Sequence, residues 1–397
     1  MKKIITIILP ILACTQTTIA LEETGMNVKP KGSFDFSFAA IEDNGPYNRK
    51  TVTTNRDGIG FFSSAGFSIN VENKLEEDLV YGAKIALLTS TMTDRKVPTM
   101  AYFESPAGKF EVGSDKSAAT KMRITAASQS SATGGIWDMW VIPDIRSKKI
   151  TYQTNSGGFL DQKTRMYKDL EFARKITYFT PEMNGFQAGI SYIPDTTNAG
   201  HKTLKDPEYH MNNFSQGYSF DIKDGIAWGV TQKFKANEDL NFKASVTGEF
   251  GKVVARDSEN KEVIKNTTFK KLRAYIIGGE VKYSQFAMAA SYGNFMKSMT
   301  SKVIDDAGYT KSDVRSIGGK YSFDQLSFSA TLFASDHKKN KVNAVTLATD
   351  YKLAPGLLPY AEVTAYNAKG WYKDVNGERL YDTHRGTLFL VGMRMEF

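Results

Sequence analysis

The sequence predicts an all-β fold, a closed antiparallel transmembrane β-barrel, and four observations predict it. Apolar residues recur at every second position along the whole chain, in segments of about ten residues. Aromatics are plentiful, with 25 Phe and 19 Tyr among 397 residues. Yet beyond the leader no unbroken apolar run approaches the ~18 residues that a membrane helix needs. Tight turn-rich connections also roughly take turns with long polar ones, as in a meander whose rims face a cramped compartment and open space.

Residues 1–20 stand apart from the fold. Lys2 and Lys3 precede the apolar run Ile4 to Ala13, and Thr18-Ile19-Ala20 offers small residues before Leu21. That is the pattern of a secretory signal peptide, too short to span a bilayer. The single cysteine, Cys14, falls inside it and is expected to leave on cleavage. A lipid-attachment reading of Ile11-Leu12-Ala13-Cys14 would leave Thr15 to Ala20 as an unexplained spacer. The mature chain, 21–397, is then expected to be one barrel held by hydrogen bonds and packing, without disulfides. Net charge is +8, of which Lys2 and Lys3 supply two, and the basic residues are scattered. A scattered basic surface on an exported chain argues against a nucleic-acid partner.

The strand signals run in order. Phe34, Phe36, Phe38 and Ala40 alternate with Ser33, Asp35, Ser37 and Ala39. Leu79, Tyr81, Ala83, Ile85 and Leu87 face away from Gly82, Lys84 and Ala86. The same pattern returns in Leu240 to Phe250, Phe286 to Gly293 and Leu326 to Leu332. Tight connections are expected at Asn73 to Asp78, Ser105 to Gly108, Pro181 to Gly185, Ala236 to Asp239 and Phe323 to Gln325. Long polar ones are expected at 41–57, 117–174, 194–219, 256–268 and 368–385. The last ten residues, LFLVGMRMEF, alternate to the carboxylate: Phe389, Val391, Met393, Met395 and Phe397 share one face. Such a strand is expected to pair with the first, around Gly32 to Ala40.

A soluble β-sandwich would alternate too, since one face of each of its sheets is buried. Against it stand polar faces that are unusually small and mixed (Gly, Ser, Ala, Thr), and apolar sets bounded by Tyr, Phe or Trp. About sixteen strand candidates are also more than one open sandwich comfortably holds. Closing the sheet in a membrane pairs every backbone group without an edge.

Several stretches carry a resemblance to the general porins of the Gram-negative outer membrane. Gly66-Phe67-Ser68-Ile69 through Tyr81-Gly82-Ala83-Lys84 resembles their second-to-third strand hairpin. Gly108 to Gly113 looks like their fifth strand, and Lys175 to Phe186 is similar to their sixth-to-seventh strand turn, with Thr180 where Ser is usual. Terminal Phe397 matches the signal read by the outer-membrane assembly machinery. The resemblance covers essentially the whole mature chain. It implies sixteen strands, a homotrimer among outer-membrane lipid and lipopolysaccharide, and passive passage of small hydrophilic solutes. It also implies that the long loop after the fifth strand, about 116–173, folds into the lumen as a constriction.

That segment is too long to be an idle connection. Ile136 to Pro143, with Trp137 and Trp140, is the apolar anchor such a loop needs, although an extra strand or a subunit contact would also account for it. From Lys116 through Glu171 nine basic residues, among them Lys116, Lys121 and Arg123, stand against five acidic ones, among them Asp138 and Asp144. Strand phase adds inward Lys84, Lys243, Lys282 and Lys320, but also Asp35, Glu72, Glu111, Glu249 and Glu280. Charges at a narrow zone select counter-ions, so the loop's excess suggests a mild anion preference.

No catalytic constellation accompanies these features. His201, His210, His337 and His384 lie in expected loops or at strand ends, without ligand or nucleophile partners at useful spacing. No phosphate-binding glycine loop occurs, and no cofactor is expected. A hydrolase on a barrel is therefore disfavoured. A substrate-specific channel for sugars or phosphate would need an inward aromatic ladder or dense basic cluster, which strand phase does not supply. The long loops leave adhesion open as a further activity.

Overall fold

The structure, a computed structural model, describes residues 19–21, 26–43, 58–76, 78–90, 93–96, 98–132, 173–196, 211–213, 218–257, 263, 268–298, 300, 312–337, 340–373 and 379–397. Sixteen antiparallel strands close on themselves. In chain order they are β1 Met26–Asp43, β2 Gly58–Glu76, β3 Leu79–Ser90, β4 Thr99–Ser105, β5 Gly108–Gly113, β6 Lys175–Phe179, β7 Phe186–Asp195 and β8 Tyr218–Lys235. The rest are β9 Leu240–Asp257, β10 Leu272–Tyr283, β11 Phe286–Asn294, β12 Ser312–Phe323, β13 Leu326–His337, β14 Asn340–Tyr351, β15 Leu357–Lys373 and β16 Arg379–Glu396. Three short pieces, Ile19–Leu21, Thr93–Lys96 and Met211–Asn213, extend the same sheet.

Each strand pairs with its sequence neighbours, and β16 pairs with β1 from Gly386↔Asp43 to Glu396↔Ser33. Every strand thus has two partners, and the sheet has no edge for another chain to extend. Alternation sets the faces. Ile85, Val112, Phe250, Ile277, Leu332, Leu347 and Phe389 point outward and stay exposed, as lipid-facing residues of a barrel do. The opposite phase brings Ser, Thr and Gly into the interior: Ser245, Gly278, Ser291 and Ser316 form one continuous cross-strand row.

The short turns are stitched into a rim. Lys233 N–H donates to Gly185 O at 2.9 Å, Ser284 to Asp239 O at 3.1 Å, Ser322 to Gln285 O at 2.9 Å and Lys352 to Gln325 O at 2.7 Å. Gly185 has φ +80°, and a Cβ there would lie 2.2 Å from Lys233 O, so glycine is required on both counts. The rim ends where Glu396 donates to Gly356 O and Phe397 to Gly32 O, at 2.7 and 2.9 Å.

One expected connection is mostly strand. Residues 368–385 read as a long polar loop, yet β15 runs to Lys373 and β16 starts at Arg379, with Lys369↔Thr383 and Trp371↔Tyr381 paired. Strands of 17 and 18 residues outrun the about 9–11 that cross the hydrocarbon. Beyond that band neither face needs to be apolar, so the alternation that marks a strand fades while the ladder continues. Residues 1–18 and the apolar anchor 136–143 lie outside the described residues.

Candidate functional site: an inner segment fixed across the barrel

After β5 the chain turns inward instead of crossing to the next strand. Ser117 caps a short helix, α1 (Ala118–Met122), by accepting from Thr120 N–H, and a 3-10 turn follows at Ala126–Gln129. Ala118, Ala119, Met122 and Ala126 are buried. The small alanines let the backbone lie close to the wall, and the wall answers Met122 and Ile124 with glycine. A Cβ at Gly229 would lie 2.9 Å from Met122 Cβ, and one at Gly278 would lie 2.1 Å from Ile124 O.

Inward serines of separate strands fix this backbone. Ser191 of β7 accepts from Ala118 N–H at 2.8 Å, and Ser245 of β9 from Ile124 N–H at 3.0 Å. Ser316 of β12 accepts from Ala126 N–H at 3.2 Å, and Ser329 of β13 from Ser131 N–H at 2.7 Å. The segment therefore runs along half the circumference, four of its amides met by wall hydroxyls where water cannot reach. Gln129 donates to Glu280 of β10 at 2.5 Å. At the far end, Arg394 of β16 donates to Ala132 O at 3.1 Å.

Charge reinforces the near end. Lys121 bonds Glu111 of β5 and lies 3.0 Å from Asp115; Lys109 sits 3.9 Å from Glu111 on its other side. Burial would raise the Asp115 carboxyl, but Lys121, the Lys116 amide and Lys84 outweigh it and hold the group below its ordinary value of 3.8. Arg123, directly after α1, faces Glu249 of β9 at 3.9 Å, both side chains almost fully buried.

Of the sequence-predicted charges, Glu111 and Lys121 touch, and Lys84 and Lys116 lie around Asp115. Arg123 is inside the barrel on the segment itself. Lys243, Lys282 and Lys320 share the inward phase but sit between the segment and the short turns. There Lys282 is 3.2 Å from Glu280 and Lys320 is 3.4 Å from Asp350. Asp138 and Asp144 lie outside the described residues, as do Trp137 and Trp140. Phe397 pairs with Gly32, and its ring covers that glycine, where a Cβ would lie 2.1 Å from the ring edge.

The serine row, Gln129, Lys233, Lys235, Asp350 and the dock at Arg394 escaped sequence reading. Their signal was the small polar phase of each strand, which marks an interior without saying what it holds. Strand phase gave no inward aromatic ladder. The structure does place Tyr102, Phe179, Tyr360 and Tyr366 inward, each over the glycine opposite it in register: Gly82, Gly189, Gly392 and Gly386. Aromatic rings laid over strand glycines serve the wall, filling the gap the missing side chain leaves.

Comparison with known proteins agrees with this geometry. Residues 10–370 match the model of the family described as Gram-negative porin. An uncharacterized protein of Rickettsia conorii is 31% identical over 97% of this chain and 96% of its own length. Another, of Rickettsia prowazekii, is 32% identical with the same coverage. Among solved structures, an anion-selective porin from Comamonas acidovorans superposes with TM-score 0.61 at 14% identity, over 94% of this chain and all of its own. A Salmonella typhi OmpF complex with daunomycin gives 0.57 at 12%, over 96% of this chain and all of its own.

Proposed function

The chain belongs to the Gram-negative porin family and is an integral barrel channel of the outer membrane; from that premise we propose passive diffusion of small hydrophilic solutes and ions, with a mild preference for anions. The observation that carries this reading is the inner segment, held against the wall by one serine after another and so able to narrow a bore without needing to move. In this reading Lys84, Lys116 and Lys121 line the bore, Lys243, Lys282 and Lys320 line the lumen between it and the short turns, and the buried Glu111 and Arg123 hold the segment.

The sign of selectivity follows from which charges are already matched. Inward carboxylates at Glu72, Glu111, Asp115, Glu249, Glu280, Asp350 and Asp35 have a cation within salt-bridge distance, while buried Glu362 accepts from the Thr364 hydroxyl. Among the described residues Lys84, Lys116, Lys235 and Lys243 have no carboxylate within that distance, set against the one hydroxyl-bonded Glu362, so the balance of the lining is positive. A positive lining favours anions.

Assembly as a homotrimer is supported by the height of the wall. Strands β4, β5 and β6 have 7, 6 and 5 residues, short of the about 9–11 needed to cross hydrocarbon. Their outward Phe103, Phe110, Val112 and Ile176 are exposed, and a second copy covers them better than lipid can. Export with loss of residues 1–20, insertion through Phe397 by the outer-membrane assembly machinery, and contact with lipopolysaccharide complete the proposal.

Liposome swelling tests the solute class. Rates that rise linearly with sugar concentration and fall with sugar size are expected. Saturable uptake of one sugar or of phosphate overturns passive diffusion in favour of a substrate-specific channel.

A further inference from the structure

Arg394 sits on β16 directly opposite Asp35 of β1, in the register row that closes the barrel. Its Nε donates to Asp35 Oδ2 at 3.0 Å while Nη2 donates to Ala132 O at 3.1 Å. Tyr360 of β15 donates to the other Asp35 oxygen at 2.5 Å, and the guanidinium lies 5.8 Å from the centre of its ring. The Tyr360 ring in turn rests over Gly392, where a Cβ would lie 2.4 Å away. One guanidinium thus ties three things together: the last strand, the first strand and the far end of the inner segment.

We propose that Arg394 is the positioning residue for that far end, and that its dock exists only once β1 and β16 have paired, so the segment settles after the barrel closes. Alone on an unpaired β16, Arg394 would have no Asp35 to hold its fork. A free guanidinium is a long, mobile cation; paired through Nε, its Nη2 is aimed at a fixed point. The near end lacks this dependence, because Glu111, Asp115 and Lys121 all belong to one continuous stretch of chain. Docking of the described segment therefore begins beside β5 and reaches the seam at Ala132. The inference rests on reading the segment as the narrow zone of a porin.

The test follows refolding of the full chain into detergent by pulsed hydrogen exchange, alongside the gel-mobility shift that marks a closed, SDS-resistant barrel. The amides of 126–132, two of them already met by Ser316 and Ser329, are expected to reach full protection only as the shifted band appears, and those of 118–122 no later. Arg394→Ala is expected to keep the shifted band while exchange at 126–132 rises at least tenfold. Arg394→Lys, which keeps the ion pair but cannot fork, is expected to recover the band fully and the protection only in part. Full protection of 126–132 before closure, or unchanged exchange in Arg394→Ala, overturns the proposal. If Arg394→Ala does not close, Asp35→Asn supplies the same test, since it leaves Arg394 present but unaimed. Channel recordings on the wild type are read separately, so a protein that docks its segment without conducting counts against the porin reading alone.

Discussion

Gly32 and Phe397 exchange two backbone hydrogen bonds, Gly32 N–H to Phe397 O at 2.6 Å and Phe397 N–H to Gly32 O at 2.9 Å, and the Phe397 ring lies across the glycine. The pair is the last link in the rim of short turns. Gly32→Val drives the ring off its seat, and Phe397→Ala removes it. Both are expected to slow appearance of the SDS-resistant barrel to a similar degree, with a stability loss of about 1–3 kcal/mol from overpacking in the first. Full synthesis with little assembled barrel, read by heat-modifiable mobility, is the expected pattern for deletion of Phe397. Normal assembly of the deletion would remove the assembly role.

Ser245 is an almost fully buried rung between segment and wall, accepting from Ile124 N–H. Ser245→Ala leaves a buried donor without its acceptor, at a cost of about 1–3 kcal/mol borne by segment docking. The heat-modifiable shift should persist while exchange of the Ile124 amide speeds up by one to two orders of magnitude. Ser245→Ala with Ser316→Ala should add brief current closures that neither single variant shows.

Lys121→Met strands Glu111, a carboxylate with little exposure, on Lys109 at 3.9 Å alone. The loss should fall below the about 3–5 kcal/mol of a fully orphaned buried ion, because Lys109 remains. Glu111→Gln combined with Lys121→Met should recover part of it, and thermal unfolding of the four corners of this cycle measures the coupling.

Acid acts on the same contact through Asp115. Its carboxyl is held below the ordinary 3.8, so its contribution is complete above that pH and is lost as pH falls through the lowered value. Segment protection factors should therefore be flat from pH 7 to 5 and fall only below about 4. A transition near pH 6 would assign control to another group.

Much of the fold was legible before any coordinates. Alternation located the strands, and the outward Phe389, Val391 and Met393 identified β16 as a wall strand that pairs with β1. The ends of β15 and β16 were illegible for a physical reason: above the hydrocarbon, both faces of a strand are wet. Glu111 and Lys121 were legible as charges of the right phase and place, being ten residues apart. The serine row was not, because each hydroxyl meets its amide across 73 to 198 residues of chain. Arg394 read only as a water-facing residue, since its aim depends on Asp35, 359 residues away.

The most direct test of the account is single-channel recording of the purified protein in a planar bilayer under a KCl gradient. Discrete, long-lived conductance steps are predicted, with a zero-current potential of the sign set by chloride permeating faster than potassium. Exchanging Lys243 and Lys84 for Glu should move that potential towards potassium. An SDS-resistant barrel that gives no steps would contradict the channel, and a wild-type potential of the potassium sign would contradict the positive lining.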